Sequence, residues 1–184
     1  MLFRSSHAWQ PFLVKDKSVN AFALPGGYIG VHLGLLAMTT TPDELASVLA
    51  HELSHVTQRH IARMIGQQSR QSWVSLASLV LGILAASRAP MAAQAMIYGG
   101  QAASIQGQLN FSRDMEREAD RVGFGVLSDS GFDPAGMALM FEHLQAASRL
   151  NDDGSWPYLR THPLTTERIG EAQDRKSTRL NSSH

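Results

Sequence analysis

Residues 50–55 read Ala-His-Glu-Leu-Ser-His, an HExxH pattern from which the rest of the chain can be interpreted. If this stretch is helical, His51 and His55 lie on one face, about 6 Å apart, so both imidazoles can reach one metal ion. A zinc ion held in this way lowers the pKa of a bound water, and Glu52 is placed to accept that water's proton. The stretch predicts a zinc centre for peptide hydrolysis. A chance match is the alternative, which the flanking residues disfavour.

A helix start precedes this motif. Thr41 suits the N-cap, Pro42 the first helical position, and Glu44 the third position of a capping box. The helix is expected to run to about Ile65. Its apolar stripe consists of Leu45, Val48, Leu49, Leu53 and Val56. The two histidines are therefore expected on a mostly buried helix, where a metal would satisfy their nitrogens.

Composition excludes several classes of function. The 184 residues are enough for one domain with a substantial core, and the net charge of zero without a basic stripe argues against nucleic acid as a partner. The absence of cysteine excludes thiol catalysis and thiolate zinc fingers. With 43% hydrophobic and only 17% charged residues, the chain has room for a membrane or oligomer surface.

Both ends of the chain have unusual compositions. Residues 1–6 lack the pattern of a signal peptide, so we expect the chain to begin inside a longer protein. Residues 176–184 resemble translated vector or adapter sequence. The expected organisation is a metallopeptidase domain over residues 1–175, truncated at its N-terminus, followed by this tail.

Residues 14–32 predict a small β-hairpin in an otherwise mainly α-helical domain, that is, an α+β fold of the zincin type. Phe12, Val14, Val19, Ala21 and Ala23 alternate imperfectly along it. Pro25 and Gly26 suit the two central positions of a type II turn. Two roles remain open. The hairpin, or a small sheet, lies over the active-site cleft and pairs with an extended substrate, or it only covers the helices.

Residues 73–97 are the most apolar part of the chain and break near residues 88–90. The first apolar run is shorter than the roughly 20 residues needed to cross a bilayer. We expect two short helices forming a hairpin. Burial in the core is the favoured interpretation, and contact with a membrane surface or substrate is the alternative.

A third zinc ligand must come from outside the motif. The metzincin extension fails because Gln58 and Ile61 stand where glycine and histidine are required. A second polar helix is expected over about residues 110–129, and there Glu116 and Asp120 are the best candidates at i, i+4 spacing. Glu116 would bind zinc and Asp120 would orient a ligand histidine. The alternative is an exposed, charge-rich helix.

Separate motifs in one order resemble a single family. Residues 20–27 read NAFALPGG, 44–55 read ELASVLAHELSH, and 112–120 read SRDMEREAD. These segments resemble the zinc metallopeptidases related to HtpX and the CAAX prenyl proteases. Residues 160–164, RTHPL, together with Arg168, are most similar to the BepA-like periplasmic branch of that family.

The resemblance covers about residues 8–175 and implies a gluzincin. One zinc ion per chain is then bound by His51, His55 and Glu116, with Glu52 as the general base. BepA-like members are periplasmic endopeptidases that act on misassembled outer-membrane proteins and assist their assembly. The implied partners are unfolded or misassembled proteins, the outer-membrane assembly machinery and, peripherally, a membrane.

Two further residues acquire roles from this resemblance. His162 is expected either as a fourth zinc ligand that closes the site or, when swung away, as a donor to the transition state. The alternative is a loop histidine with a packing role. Arg168 is expected to hold that loop or a developing oxyanion. Its alternative is a surface salt bridge.

The chain also departs from the family. BepA-like proteins carry a C-terminal helical-repeat domain, which we expect this sequence to stop before, and HtpX-like members have transmembrane helices, which we do not expect in this sequence. A competing function is a chaperone-like binding module in which zinc is structural, or a latent protease closed by His162. Glu52 argues against a purely structural zinc site, because such a site needs no general base.

Overall fold

The computed structural model describes residues 9–24, 26–85, 89–150 and 156–182. The strands are β1 (Gln10–Val14), β2 (Ala21–Leu24) and β3 (Tyr28–His32). The helices are α1 (Leu33–Met38), α2 (Pro42–Thr57), α3 (His60–Ala85), α4 (Pro90–Asp129), α5 (Ala135–Leu150), α6 (Pro157–Thr161) and α7 (Thr166–Ser182). The predicted mainly α fold with a small sheet is confirmed. Residues Arg59–Glu116 form one compact unit, and the remaining described residues form another.

The sheet has three strands in the order β1-β3-β2. Strands β2 and β3 are antiparallel, with Leu24 opposite Tyr28, which confirms a hairpin in this region. Gly26 has a φ of 97°, as the third residue of a type II turn requires, whereas Pro25 lies outside the described residues. Phe12 and Val14 were expected within the hairpin. They instead form β1, which pairs in parallel with β3 through a longer connection.

The core of the larger unit lies between α2, α5, α7 and the sheet. Its most buried side chains include Leu35, Val48, Met137, Met140, Phe141 and Leu144. Helix α5 begins after Asp133, whose carboxylate accepts the Ala135 N–H at 2.9 Å. Helix α7 continues to Ser182. It therefore includes most of residues 176–184, the tail that was set apart because it resembles vector sequence.

The start of α2 is confirmed and its end is not. Thr41 is the N-cap, and its hydroxyl accepts the Glu44 N–H at 3.3 Å. The Glu44 carboxylate reaches back to the N–H of Thr40, also at 3.3 Å, one residue earlier than a standard capping box. The helix ends at Thr57 rather than near Ile65, because Arg59 adopts a left-handed φ of 55° that a helix cannot continue through.

The unit of residues 59–116 contains α3 and the first part of α4. The two short helices expected over residues 73–97, and the separate helix over 110–129, are replaced by two long helices, and α4 runs without interruption for 40 residues. The expectation of a buried core was wrong, since Trp73 is 71% and Ile83 63% exposed. Among the described helices, none carries an apolar run long enough to cross a bilayer.

Candidate metal centre

Helix α2 places the two motif histidines side by side. Nε2 of His51 and Nε2 of His55 are 3.0 Å apart, one helical turn apart along the chain. His51 is 2% exposed, and the adjacent Glu52 is also 2% exposed. Helix formation over α2 therefore places the two imidazoles of His51 and His55 and the carboxylate of Glu52 together in the C-terminal half of the helix.

Two more donors complete the group. His51, His55, Glu116 and His162 each offer one ligand atom, and these atoms all lie within 4.8 Å of one another. Nδ1 of His162 is 3.3 Å from Nε2 of His51. Glu116 is buried at 5% exposure, so the alternative of an exposed, charge-rich helix does not describe this position.

The donor set fits a zinc-type ion. Ligands at 2.0–2.2 Å in a tetrahedron are separated by roughly 3.3–3.6 Å, close to the nitrogen separations of 3.0 and 3.3 Å found here. Imidazole nitrogens with a carboxylate are also the donor types that zinc binds in gluzincin-like sites. The residues present can therefore hold a divalent metal, as three or four ligands.

Asp120 contacts both His51 and Arg168. Its Oδ1 lies 2.9 Å from Nδ1 of His51, and it accepts two hydrogen bonds from Arg168, from Nε at 2.6 Å and from Nη2 at 2.8 Å. Burial raises the pKa of this carboxyl, but the hydrogen bonds from His51 and Arg168 outweigh it and hold the pKa below its ordinary value. As a carboxylate, Asp120 can accept a hydrogen bond from a protonated Nδ1 of His51, which would leave Nε2 of that ring for a metal.

Arg168 has a second contact in addition to Asp120. Its Nη1 donates to the carbonyl of Pro163 at 2.8 Å, and its guanidinium lies over the ring of Phe141 at 5.1 Å. At 3% exposure it is not a surface salt bridge, so that alternative is wrong. Arg168 connects Asp120 with the loop that follows His162.

His162 lies between the metal donors and Glu52. While its Nδ1 faces His51, its Nε2 is 3.4 Å from Oε1 of Glu52. Its ring also packs against Tyr158 at a centroid distance of 4.6 Å. The His162 ring therefore contacts both the donor group and Glu52.

Two contacting residues were not singled out from the sequence. Tyr158 is 3% exposed and packs against His162. Tyr158 lies in α6 and His162 directly follows that helix, so their i, i+4 spacing was the sequence signal for this contact. Gly123 lets α4 approach α2, because a Cβ there would lie 3.2 Å from the Ala50 carbonyl and from the His51 nitrogen. A lone glycine within a polar helix does not by itself predict close packing against another helix.

Comparison with known proteins agrees with this geometry. The model of peptidase family M48 matches residues 2–176. The chain is 39% identical to the beta-barrel assembly-enhancing protease of Escherichia coli (strain K12) and 40% identical to that of Yersinia pestis, over 89% of this chain and 34% of each relative. It is 33% identical to metalloprotease LoiP of Escherichia coli (strain K12), over 92% of this chain and 62% of that protein.

The chain thus spans about a third of the length of the beta-barrel assembly-enhancing proteases. The resemblance seen in the sequence motifs is confirmed at the level of the family. A catalytic metal is a property of that family, and the four-donor group is where this chain can bind one. The chain belongs to peptidase family M48.

Proposed function

We propose that this chain is the catalytic domain of a zinc-dependent endopeptidase that hydrolyses misfolded or misassembled proteins of the bacterial envelope. The observation that supports this most directly is the position of Glu52. Glu52 directly follows His51, and its buried carboxylate lies 3.4 Å from His162, another member of the four-residue group that can share one ion. A structural zinc site needs ligands only, whereas a hydrolytic site also needs a base in this position.

His51, His55 and Glu116 would hold the zinc, with Asp120 fixing the tautomer of His51. When bound, zinc polarises a substrate carbonyl and lowers the pKa of a water molecule. Glu52 takes the proton of the attacking water and passes it to the leaving amine nitrogen.

His162 controls access to this centre in our proposal. With one ring nitrogen toward the donors and the other toward Glu52, it is a fourth donor that closes the site. A substrate carbonyl enters only when His162 moves away. The enzyme is then latent in this conformation, and opening of the loop that starts at His162 precedes catalysis.

Substrate and compartment rest on the relatives. The names of the Escherichia coli and Yersinia pestis proteins refer to beta-barrel assembly, which suggests unfolded or misassembled outer-membrane proteins as substrates. The assembly machinery of that membrane is the corresponding partner, and the periplasm is the compartment in which such substrates meet a protease.

The test compares the purified chain with Glu52→Gln and Glu116→Ala. Atomic spectroscopy gives zinc per chain, and cleavage of unfolded casein gives activity. We expect about one zinc in the wild type and in Glu52→Gln, hydrolysis in the wild type only, and loss of zinc in Glu116→Ala. Glu118→Ala, two positions away on α4, is the control and should keep both zinc and hydrolysis.

Undiminished cleavage by Glu52→Gln would exclude Glu52 as the base. A folded wild type without zinc would show that the ligand set is wrong. Zinc binding with no hydrolysis, even after His162 is replaced, would favour the binding module with a structural zinc instead.

A further inference from the structure

Helices α3 and α4 expose an unusual amount of apolar surface within residues 59–116. Fifteen large hydrophobic side chains there are at least 42% exposed. They are Ile61, Met64, Ile65, Trp73, Val74, Leu76, Leu79, Val80, Leu81, Ile83, Met91, Met96, Tyr98, Ile105 and Leu109. Soluble proteins rarely leave a continuous apolar region of this size in water, so the region has a binding partner.

The residues between these two helices are small or polar. A Cβ on Gly82 would meet Ile97 at 2.5 Å, and a Cβ on Gly100 would meet Ser78. The Ser104 hydroxyl donates to the Gln71 carbonyl at 3.5 Å. The groove between the helices is lined mostly by glutamine and serine, namely Gln68, Ser72, Ser75, Gln101, Ser104 and Gln108, with Leu76, Leu79 and Ile97.

This arrangement is the reverse of a helix pair that folds in water. There, apolar residues meet between the helices and polar residues face outward. Here glycine and serine allow close approach of the helices while leucine, isoleucine and valine face outward, as between helices packed in lipid.

Charge is also missing from this region. Residues 71–112 contain a single charged side chain, Arg88, in the connection between the helices, which lies outside the described residues. A soluble protein partner is normally recognised by a charged or polar rim around an apolar centre, and electrostatic steering requires charges. Over these 42 positions the chain has almost no charged side chains with which to recognise such a partner.

The exposed apolar side chains of α3 also surround the helix rather than forming one stripe. Between Trp73 and Ile83 they cover roughly 220° of its circumference at 100° per residue, leaving only the face toward α4. One flat protein surface, including that of a second copy, covers a narrower arc. A fluid apolar phase covers all of it.

We propose that the end of this helix pair, residues 73–85 of α3 and 90–98 of α4, enters one leaflet of a phospholipid bilayer. Trp73 and Tyr98, 71% and 68% exposed, mark the depth of the interface, where such side chains concentrate in membrane proteins. From Trp73 to Ala85 the helix rises about 18 Å, close to half of the roughly 30 Å hydrocarbon core. The pair therefore enters one leaflet without crossing.

This contact is independent of the proposed hydrolysis and depends on apolar burial alone. Because residues 71–112 have almost no charge, binding needs no anionic lipid and is not weakened by salt. Independence from anionic lipid and from salt distinguishes this membrane contact from that of basic amphipathic helices, which bind anionic membranes electrostatically.

The chain lacks cysteine, so a single cysteine can carry a polarity-sensitive fluorophore. We propose labelling Leu81→Cys with nitrobenzoxadiazole and, as the matched control, Leu13→Cys on β1, which is 63% exposed. With phosphatidylcholine vesicles, Leu81→Cys is expected to shift to the blue and brighten several-fold, whereas Leu13→Cys stays unchanged. Phosphatidylglycerol or about 0.5 M salt should alter neither result.

Flotation with the same vesicles gives a second readout. The double variant L81D/I83D should fail to float, while Leu13→Asp floats like the wild type. Helical content and zinc per chain confirm that each variant is folded. Absence of flotation, a requirement for anionic lipid, or equal responses at both labelled positions would overturn the proposal. So would a fluorescence change that follows protein concentration without vesicles, which would indicate a second copy.

Discussion

Oδ1 of Asp120 lies 2.9 Å from Nδ1 of His51, so a carboxylate 69 positions further along the chain is in hydrogen-bonding contact with the first histidine of the HExxH motif. The same carboxylate accepts two hydrogen bonds from Arg168. In the proposed site, this contact would orient the buried His51 ring with Nε2 toward the metal.

Replacement of Asp120 tests this relationship. Asp120→Asn keeps the shape of the side chain but removes the charge that holds the proton on His51. We expect zinc affinity to fall by about 10–100-fold, measured by competition with a chromogenic chelator. Asp129→Asn, exposed on the same helix, should bind zinc as the wild type does. Equal affinity in both variants would show that Asp120 does not act on the ligand.

Removal of the His162 ring tests whether it closes the site. Because the three remaining donors still bind zinc, His162→Ala should keep the metal and cleave unfolded casein several-fold faster at the initial rate. Arg160→Ala, in the preceding helix α6, is the control. It should cleave casein at the wild-type rate, which would show that a change near His162 is not enough to open the site. A His162→Ala variant that keeps zinc but loses hydrolysis would instead assign His162 to the transition state.

Glu44 makes stability depend on pH. Burial raises the pKa of its carboxyl, but hydrogen bonds from the Thr40 hydroxyl and amide and from His143 outweigh burial, so the pKa lies below its ordinary value of 4.5. A carboxyl with a lowered pKa stabilises the fold above 4.5, and that contribution is lost as the pH falls through the folded-state pKa.

We therefore expect Glu44→Gln to lower the free energy of unfolding by about 1–3 kcal/mol at neutral pH and by less in acid. Urea unfolding at several pH values measures this difference. Glu142→Gln, exposed on α5, should leave the wild-type pH dependence in place. A constant difference between Glu44→Gln and the wild type at all pH values would contradict the assignment.

Gly123 tests the packing behind the metal ligands. A valine there would press on the backbone of Ala50 and His51, so Gly123→Val should lower the free energy of unfolding by about 1–3 kcal/mol and weaken zinc binding. Gly125, with open space around its Cβ position, provides the contrast. Gly125→Ala should raise stability by about 0.5–1 kcal/mol in thermal unfolding and leave zinc affinity unchanged.

The parts of the fold predicted correctly are those with local causes. Thr41 and Glu44 cap α2 through atoms three residues apart, and the i, i+4 spacing of His51 and His55 needs only a helix. The end of α2 was missed because the left-handed conformation of Arg59 has no composition signal of the kind that a glycine would supply.

The remaining differences have distant causes. The parallel pairing of β1 with β3 depends on a register that no turn specifies. The length of α4 was missed because the apolar segment and the polar helix from about residue 110 were predicted separately, whereas in α4 they are continuous, with Gly100 and Gly107 closely approaching α3. Apolar composition over residues 73–97 indicated burial, but composition does not say whether protein or another apolar phase provides it.

In the proposed mechanism, the Arg168 guanidinium divides its hydrogen bonds between a part of the site that stays fixed and a loop that moves. Two go to Asp120, and one goes to the carbonyl of Pro163. Opening the loop can therefore break the single bond while the pair to Asp120 persists. A hydrogen bond from a charged group contributes about 1.5–3 kcal/mol, which would bias the loop toward its closed population by roughly tenfold to a hundredfold. A substrate needs only that much differential affinity to shift the equilibrium toward the active form.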